Sequence, residues 1–111
     1  MTAKDDAPIV DPMNRDTVIA RLKSLEPALR DSGIVALYLY GSHARDEARP
    51  DSDLDVIVEF APGRQRDLGS YMTPLHILKQ QLPDVAIGYG THDNIVPAYR
   101  ATIESEAIRV F

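Results

Sequence analysis

The sequence predicts an α/β or α+β domain in which helices pack against a sheet. Three observations carry this. Strand-like and helix-like stretches alternate along the chain. Two apolar runs, IVALYLY at 34–40 and DLDVIVEF at 53–60, have strand composition and flank a Gly-Ser turn and a polar loop. Around them, leucines and other apolar residues recur at helical spacing.

Residues 1–13 hold two prolines and three aspartates and read as a flexible tail, leaving 14–111 as a single domain. Asn14 or Asp16 suits the cap of a first helix, in which Val18, Ile19, Leu22, Leu25 and Leu29 recur on one side. Pro27 either interrupts that helix or starts a short second one, and Gly33 is its stop. Ile34–Tyr40 reads as a strand, apolar throughout and therefore central. Ser42–Arg49 reads as a short helix ended by Pro50, and Asp53–Phe60 as a second strand. A long helix is expected over Leu68–Leu82, with its ordered part starting near Thr73 because Pro74 suits a first helical position. Val85–Tyr89 reads as a third strand. Asp93 or Asn94 precedes a last helix over Val96–Ala107, and Ile108–Phe111 ends the chain as a strand or a docked tail.

A chain of 111 residues has room for one small core. The net charge of −5 argues against broad binding to a nucleic acid backbone. Without cysteine there is no disulfide, thiolate metal site or cysteine nucleophile. No apolar run reaches membrane-spanning length and the N-terminus lacks the apolar segment of a signal peptide, so a cytoplasmic protein is expected.

The chemistry concentrates in one segment, GSHARDEARPDSDLDV: Gly41-Ser42, ten residues, then Asp53-Leu54-Asp55. On a strand, residues i and i+2 share a face, so the two carboxylates aim together. Asp53, Asp55, Ile57 and Glu59 fall on one face, and Leu54, Val56, Val58 and Phe60 on the other. Two neighbouring acids repel, and a cation relieves them. Paired carboxylates suit Mg²⁺ that also binds substrate phosphates. Gly41 and Ser42 suit those phosphates, through close backbone approach and the free amides of a following helix. The segment reads as a site for a metal-bound nucleoside triphosphate.

This segment resembles the signature of the DNA-polymerase-β-like nucleotidyltransferase superfamily, and in particular its minimal nucleotidyltransferase branch. The likeness rests on the Gly-Ser to Asp-x-Asp spacing, Ala44-Arg45, RPDSDLDV and the following VEF, and extends over about residues 15–111. It implies the polymerase-β-like fold, a small mixed sheet flanked by helices. It implies Mg²⁺ of the two-metal type with ATP as substrate. Asp53 and Asp55 would be the catalytic metal ligands, and Gly41, Ser42 and Arg45 the nucleotide-binding residues. It also implies an antitoxin that pairs with a HEPN-domain toxin and transfers AMP to a tyrosine of it, with no direct nucleic acid partner and no membrane.

One departure stands out. Two-metal transfer uses a third carboxylate on a neighbouring strand, which the resemblance places in a segment of the form VDLV. Here the segment is PDVAIG, with Ala86 at the expected position, or Gly88 if the register is counted back from the last helix. Asp84 would share the face of Ala86 if the strand were shifted; otherwise it is a turn residue after Pro83. Arg45 is expected to reach the phosphates, against a surface pairing with Asp46, Glu47 or Asp51. His43 reads as a solvated neighbour, and Asp46 stands where similar sequences have Gly. Arg64 and Arg66 read as a solvated loop, and His76 and His92 are too isolated for zinc. Tyr38 and Tyr40 read as core residues, although Tyr40 abuts Gly41 and could line the pocket. Two functions compete: an ATP–Mg²⁺-dependent enzyme that adenylylates and neutralises its toxin, and a weakened or inactive module that neutralises by binding alone.

Overall fold

The computed structural model describes residues 14–49, 51–63, 67–92 and 95–111. The expected tail over 1–13, the stop at Pro50, the Arg64–Arg66 loop and the capping role of Asp93 or Asn94 lie outside the described residues.

Asn14 opens helix α1 (Arg15–Ser24), its side chain accepting from the Thr17 amide at 2.9 Å. This satisfies one of the amides that a helix start leaves free. Pro27 belongs to the first turn of a separate helix, α2 (Glu26–Asp31). Gly33, at φ 109°, turns the chain out of it without the cost a Cβ would bring. Strand β1 (Ile34–Tyr40) follows at once, and β2 (Leu54–Phe60) pairs with it antiparallel after a bulge between Ile34 and Ala36. Helix α3 (Leu68–Gln81) carries the chain over, so that β3 (Ile87–Thr91) lies parallel to β2. After helix α4 (Pro97–Glu106), strand β4 (Ile108–Arg109) pairs antiparallel with β1. The sheet is therefore mixed, in the order β3-β2-β1-β4, with β1 and β2 central.

Three local expectations are overturned. The Ser42–Arg49 segment is a tight turn, not a helix. Arg45 N–H bonds the Gly41 carbonyl, then Asp46 N–H bonds His43 and Glu47 N–H bonds Ser42, so the bond spacing changes at each step. Asp46 then reverses the backbone at φ 59°. Helix α3 starts at Leu68 rather than Thr73, because Asp67 caps it by accepting from the Ser70 amide at 2.7 Å. Pro74 sits inside the helix, where its buried ring offsets the missing N–H. Strand β3 begins at Ile87, two residues later than expected, because Pro83 and Asp84 form the turn that leaves the core residue Leu82.

The two faces of the sheet differ. On one face Leu37, Leu39, Leu54, Val56 and Val58 join Val18, Leu22, Leu29, Leu78 and Leu82 from the helices in one core. Strand alternation places Tyr38, Tyr40, Asp55 and Ile57 on the other face, where register pairs Tyr38 with Ile57 and Tyr40 with Asp55. Tyr38 and Tyr40 are thus half-buried outside the main core, contrary to the packing expected for them. Helix α4 covers this second face and buries none of its residues fully.

Leu78 is fully buried between α3 and the sheet. Leu78→Ala removes that packing and leaves a cavity, and should cost about 2–5 kcal/mol in a urea unfolding curve.

Candidate active site

The end of the sheet where β1 stops and β2 starts gathers the residues singled out from the sequence. Gly41, at φ 77°, leaves β1 in a left-handed conformation. The turn it opens leaves the amides of Ser42, His43 and Ala44 without a backbone acceptor among the described residues. Such a run of unspent N–H groups is suited to phosphate oxygens.

Asp55 lies opposite Tyr40 on one side and Gly88 on the other. A Cβ at Gly41 would come within 2.5 Å of one Asp55 carboxylate oxygen, and a Cβ at Gly88 would run into the other. The carboxylate therefore occupies a slot made by two missing side chains. Asp53 precedes β2 and is exposed. Burial pushes the Asp55 carboxyl above its ordinary value of 3.8, and the Asp53 charge pushes the same way; His43 and Arg45 oppose both. The Tyr40 phenol is raised as well, first by burial and then by Asp55. These couplings place Asp53, Tyr40, His43 and Arg45 each within electrostatic reach of Asp55.

Other residues fall elsewhere. Arg45 forms ion pairs with Glu47 at 2.9 Å and with Glu106 of α4 at 3.2 Å, tying the turn to that helix. Asp46 turns its carboxylate away, accepting from the Arg15 amide at 3.0 Å, so it secures α1 to the turn. Its left-handed backbone is one that Gly adopts at no steric cost, in keeping with the Gly that the family resemblance leads one to expect there. Asp84 is an exposed turn residue and Ala86 is exposed, its carbonyl accepting from Leu54 N–H at 2.8 Å. Gly88, not Ala86, is the residue beside Asp55. Among the described residues no group of three His, Asp or Glu side chains is placed to hold a metal ion.

His43 was misjudged from sequence. It is only 2% exposed, and neither ring nitrogen has a hydrogen-bond partner among the described residues. A polar residue inside a turn gives no periodicity from which burial could be read; the small, buried Ala44 beside it is the only hint.

The oxygen donors Asp53 and Asp55, one in a slot free of side chains, fit a single Mg²⁺ shared with substrate phosphates. They do not by themselves supply a second closed site.

Residues 16–110 match the nucleotidyltransferase domain family. A protein of Methanocaldococcus jannaschii, provisionally named a protein adenylyltransferase, is 30% identical over 91 residues, which span 79% of this chain and 91% of that protein. A solved structure, provisionally described as a minimal nucleotidyltransferase, superposes with a TM-score of 0.73 at 32% identity, covering 88% of this chain and 97% of its own. A toxin–antitoxin structure with AMP-PNP superposes at 0.64 and 18% identity, covering 82% of this chain and 72% of its own. At that identity the likeness is one of fold.

Because its carboxyl is raised, Asp55 is protonated more readily in the folded chain than in the unfolded one. Its contribution to stability is lost as pH rises from the ordinary carboxylate value through the raised one, and the cost stays in full at neutral pH. Asp55→Asn should therefore raise the metal-free melting temperature at neutral pH. The gain should shrink as pH falls toward about 4 and vanish below about pH 3, where the carboxylate is protonated in both states. Thermal melts at the two pH values check this.

Proposed function

The chain belongs to the nucleotidyltransferase domain family, in its minimal branch, and on that premise we propose that it binds ATP with Mg²⁺ and transfers AMP to a hydroxyl of a toxin partner. The observation that carries the reading is the Asp55 carboxylate, held between Gly41 and Gly88 with Asp53 beside it. The protein adenylyltransferase relative supports AMP transfer to a protein. The toxin–antitoxin structure with AMP-PNP shares the fold and motivates a toxin as acceptor. The acceptor in this reading is a tyrosine of a helical HEPN-type toxin, with which the chain forms a hetero-oligomer.

Each residue has a role. Asp53 and Asp55 hold the ion, and the amides after Gly41 hold the β- and γ-phosphates. When bound, the ion neutralises charge that builds on the phosphates. The acceptor hydroxyl gives up its proton to solvent, its oxygen forms a bond to the α-phosphorus as the bond from that phosphorus to the bridging oxygen of the β-phosphate breaks, and pyrophosphate leaves. The backbone amides stabilise the departing charge because they are fixed before the reaction. Arg45 exchanges a surface carboxylate for a phosphate oxygen. The small size suits a macromolecular acceptor, which brings its own recognition surface.

A second reading has a specific observation in its favour. The residue facing Asp55 on the neighbouring strand is Gly88, where a third carboxylate would complete a two-metal site. In this reading the chain neutralises its partner by covering it, and its net charge of −5 complements a basic, RNA-cleaving surface.

Calorimetry separates the site from the rest of the chain. ATP binding should require Mg²⁺, and the double change Asp53→Asn, Asp55→Asn should abolish it; undiminished affinity in the double variant removes the site from consideration. Intact mass of the toxin after incubation with ATP then separates the two readings, since an AMP adduct appears only if transfer occurs. Gly88→Asp adds a carboxylate but drives Asp55 from its slot, so it should lower rather than raise both ATP–Mg²⁺ affinity and transfer. The Asp55 side chain must swing aside to admit it, so the metal-free variant should also melt lower than the parent.

A further inference from the structure

The turn after Gly41 buries a side chain to which the proposed reaction gives no task. Among the described residues, the buried side-chain polar atoms without a hydrogen-bond partner are the two ring nitrogens of His43 and the hydroxyl of Thr91. Thr91 pairs with Val58, three places along the β2–β3 ladder from Asp55. His43 belongs to the site itself. It follows Gly41 by two residues, and its ring acts on Asp55 in favour of the charged carboxylate. A buried nitrogen that bonds nothing costs stability. Where only volume mattered, leucine would fill the place without that cost. Folded chains leave few buried polar groups unpaired, and a role in a site is one reason to keep one.

The acidic side chains around the turn show where a partner is wanting. Glu47 and Glu106 pair with Arg45 at 2.9 and 3.2 Å. Asp46 accepts from the Arg15 amide. Asp53 is exposed to water. Asp55 is half-buried, and its carboxylate takes no hydrogen bond from a described residue. Its two oxygens lie on different sides: a Cβ on Gly41 would meet Oδ2, and a Cβ on Gly88 would meet Oδ1. Oδ2 is therefore the oxygen on the side of the turn that carries His43. A donor without an acceptor and an acceptor without a donor meet at one end of the sheet.

We propose that His43 is the positioning residue of the Asp55 carboxylate. With an ion bound, one imidazole N–H donates to Oδ2, so that Oδ1 and Asp53 are presented to the ion. The inference rests on the reading that Asp53 and Asp55 carry the metal of a bound triphosphate. Carboxylates that ligate a metal are held by such outer hydrogen bonds, and losing one costs about 10–100-fold in metal affinity or activity. The imidazole is only 2% exposed, so it acts through Asp55 and not by touching substrate. The metal-free chain is the less stable for this unpaired ring, and the loaded chain gains a fixed ligand from it.

The test compares calorimetry with Mg²⁺–ATP and melting curves without ligand, on the parent, His43→Leu, His43→Asn and His43→Gln. Leucine brings no polar atom into the site, so His43→Leu should melt at or above the parent. It should nevertheless bind Mg²⁺–ATP about 10–100-fold more weakly. Asn and Gln each carry an amide N–H, at the reach of one or the other ring nitrogen. One of them should regain most of the affinity while melting below His43→Leu. A merely structural histidine gives the reverse: His43→Leu melts lower, and affinity follows melting temperature across the three variants. That result overturns the proposal. So does full affinity in His43→Leu, or a loss that neither amide restores. A crystal structure of the parent with Mg²⁺ and a non-hydrolysable ATP analogue should show a ring nitrogen bonded to the Asp55 carboxylate; a nitrogen bonded to phosphate instead overturns the assignment. A parent that binds no Mg²⁺–ATP overturns the metal reading and this inference with it, whereas a parent and a His43→Leu that bind it equally well overturn this inference alone.

Discussion

A carboxylate kept partly out of water, beside a second carboxylate, is the constraint around which this small domain is arranged. Asp55 is raised by burial and by Asp53, so the metal-free fold carries an electrostatic cost that a cation removes. The slot exists because two residues facing the carboxylate lack side chains: Gly41, just after the end of β1, and Gly88, directly across on β3. A side chain at either place would force Asp55 to another rotamer. The rest of the scaffold holds this register: the antiparallel β1–β2 pair fixes Tyr40 against Asp55, and the parallel β2–β3 pair fixes Gly88. One apolar core on the opposite face anchors both pairs.

The turn after Gly41 is tied down on two sides by groups that look incidental in the sequence. Asp46 reaches α1 through the Arg15 amide. Arg45 reaches α4 through Glu106. Both bonds are exposed and individually weak, yet they connect the turn after Gly41 to two helices that lie on opposite faces of the sheet. Arg45 in particular stands between a carboxylate on α4 and the phosphates it would meet. In the proposed reading, nucleotide binding and the seating of α4 would draw on the same guanidinium.

Much of this was legible in the sequence, and the boundary of legibility has physical causes. The strands Ile34–Tyr40 and Leu54–Phe60 are apolar runs bounded by turn residues, and Asn14 and Gly33 mark helix ends by chemistry that acts locally. The spacing of Gly41, Ser42, Asp53 and Asp55 foretold that these residues share one end of the sheet. What failed had both local and long-range causes. Asp67 caps α3 and overrides the signal of Pro74. Leu82 is held in the core, which delays β3 until Ile87 and brings Gly88 rather than Ala86 beside Asp55. His43 is buried because the turn folds inward with Ala44, which no periodicity announces. Nothing local in the sequence tells which face Gly88 and Gly90 take; only the pairing with β2 places both on the face of Asp55 and Ile57.

The same two glycines bear on catalysis and on binding in opposite ways. A carboxylate at Gly88 would add a metal ligand but would occupy the slot of Asp55. A side chain at Gly90 would strengthen the strand but would narrow the cavity that Gly90 and Tyr40 wall under α4. A chain that leaves both positions bare keeps space at the cost of a ligand and some strand stability. That exchange favours a site shaped first to hold a nucleotide. In the proposed reaction, the rate of transfer would rest on two carboxylates, the amides after Gly41, and charged groups that an acceptor brings to the open side of the turn.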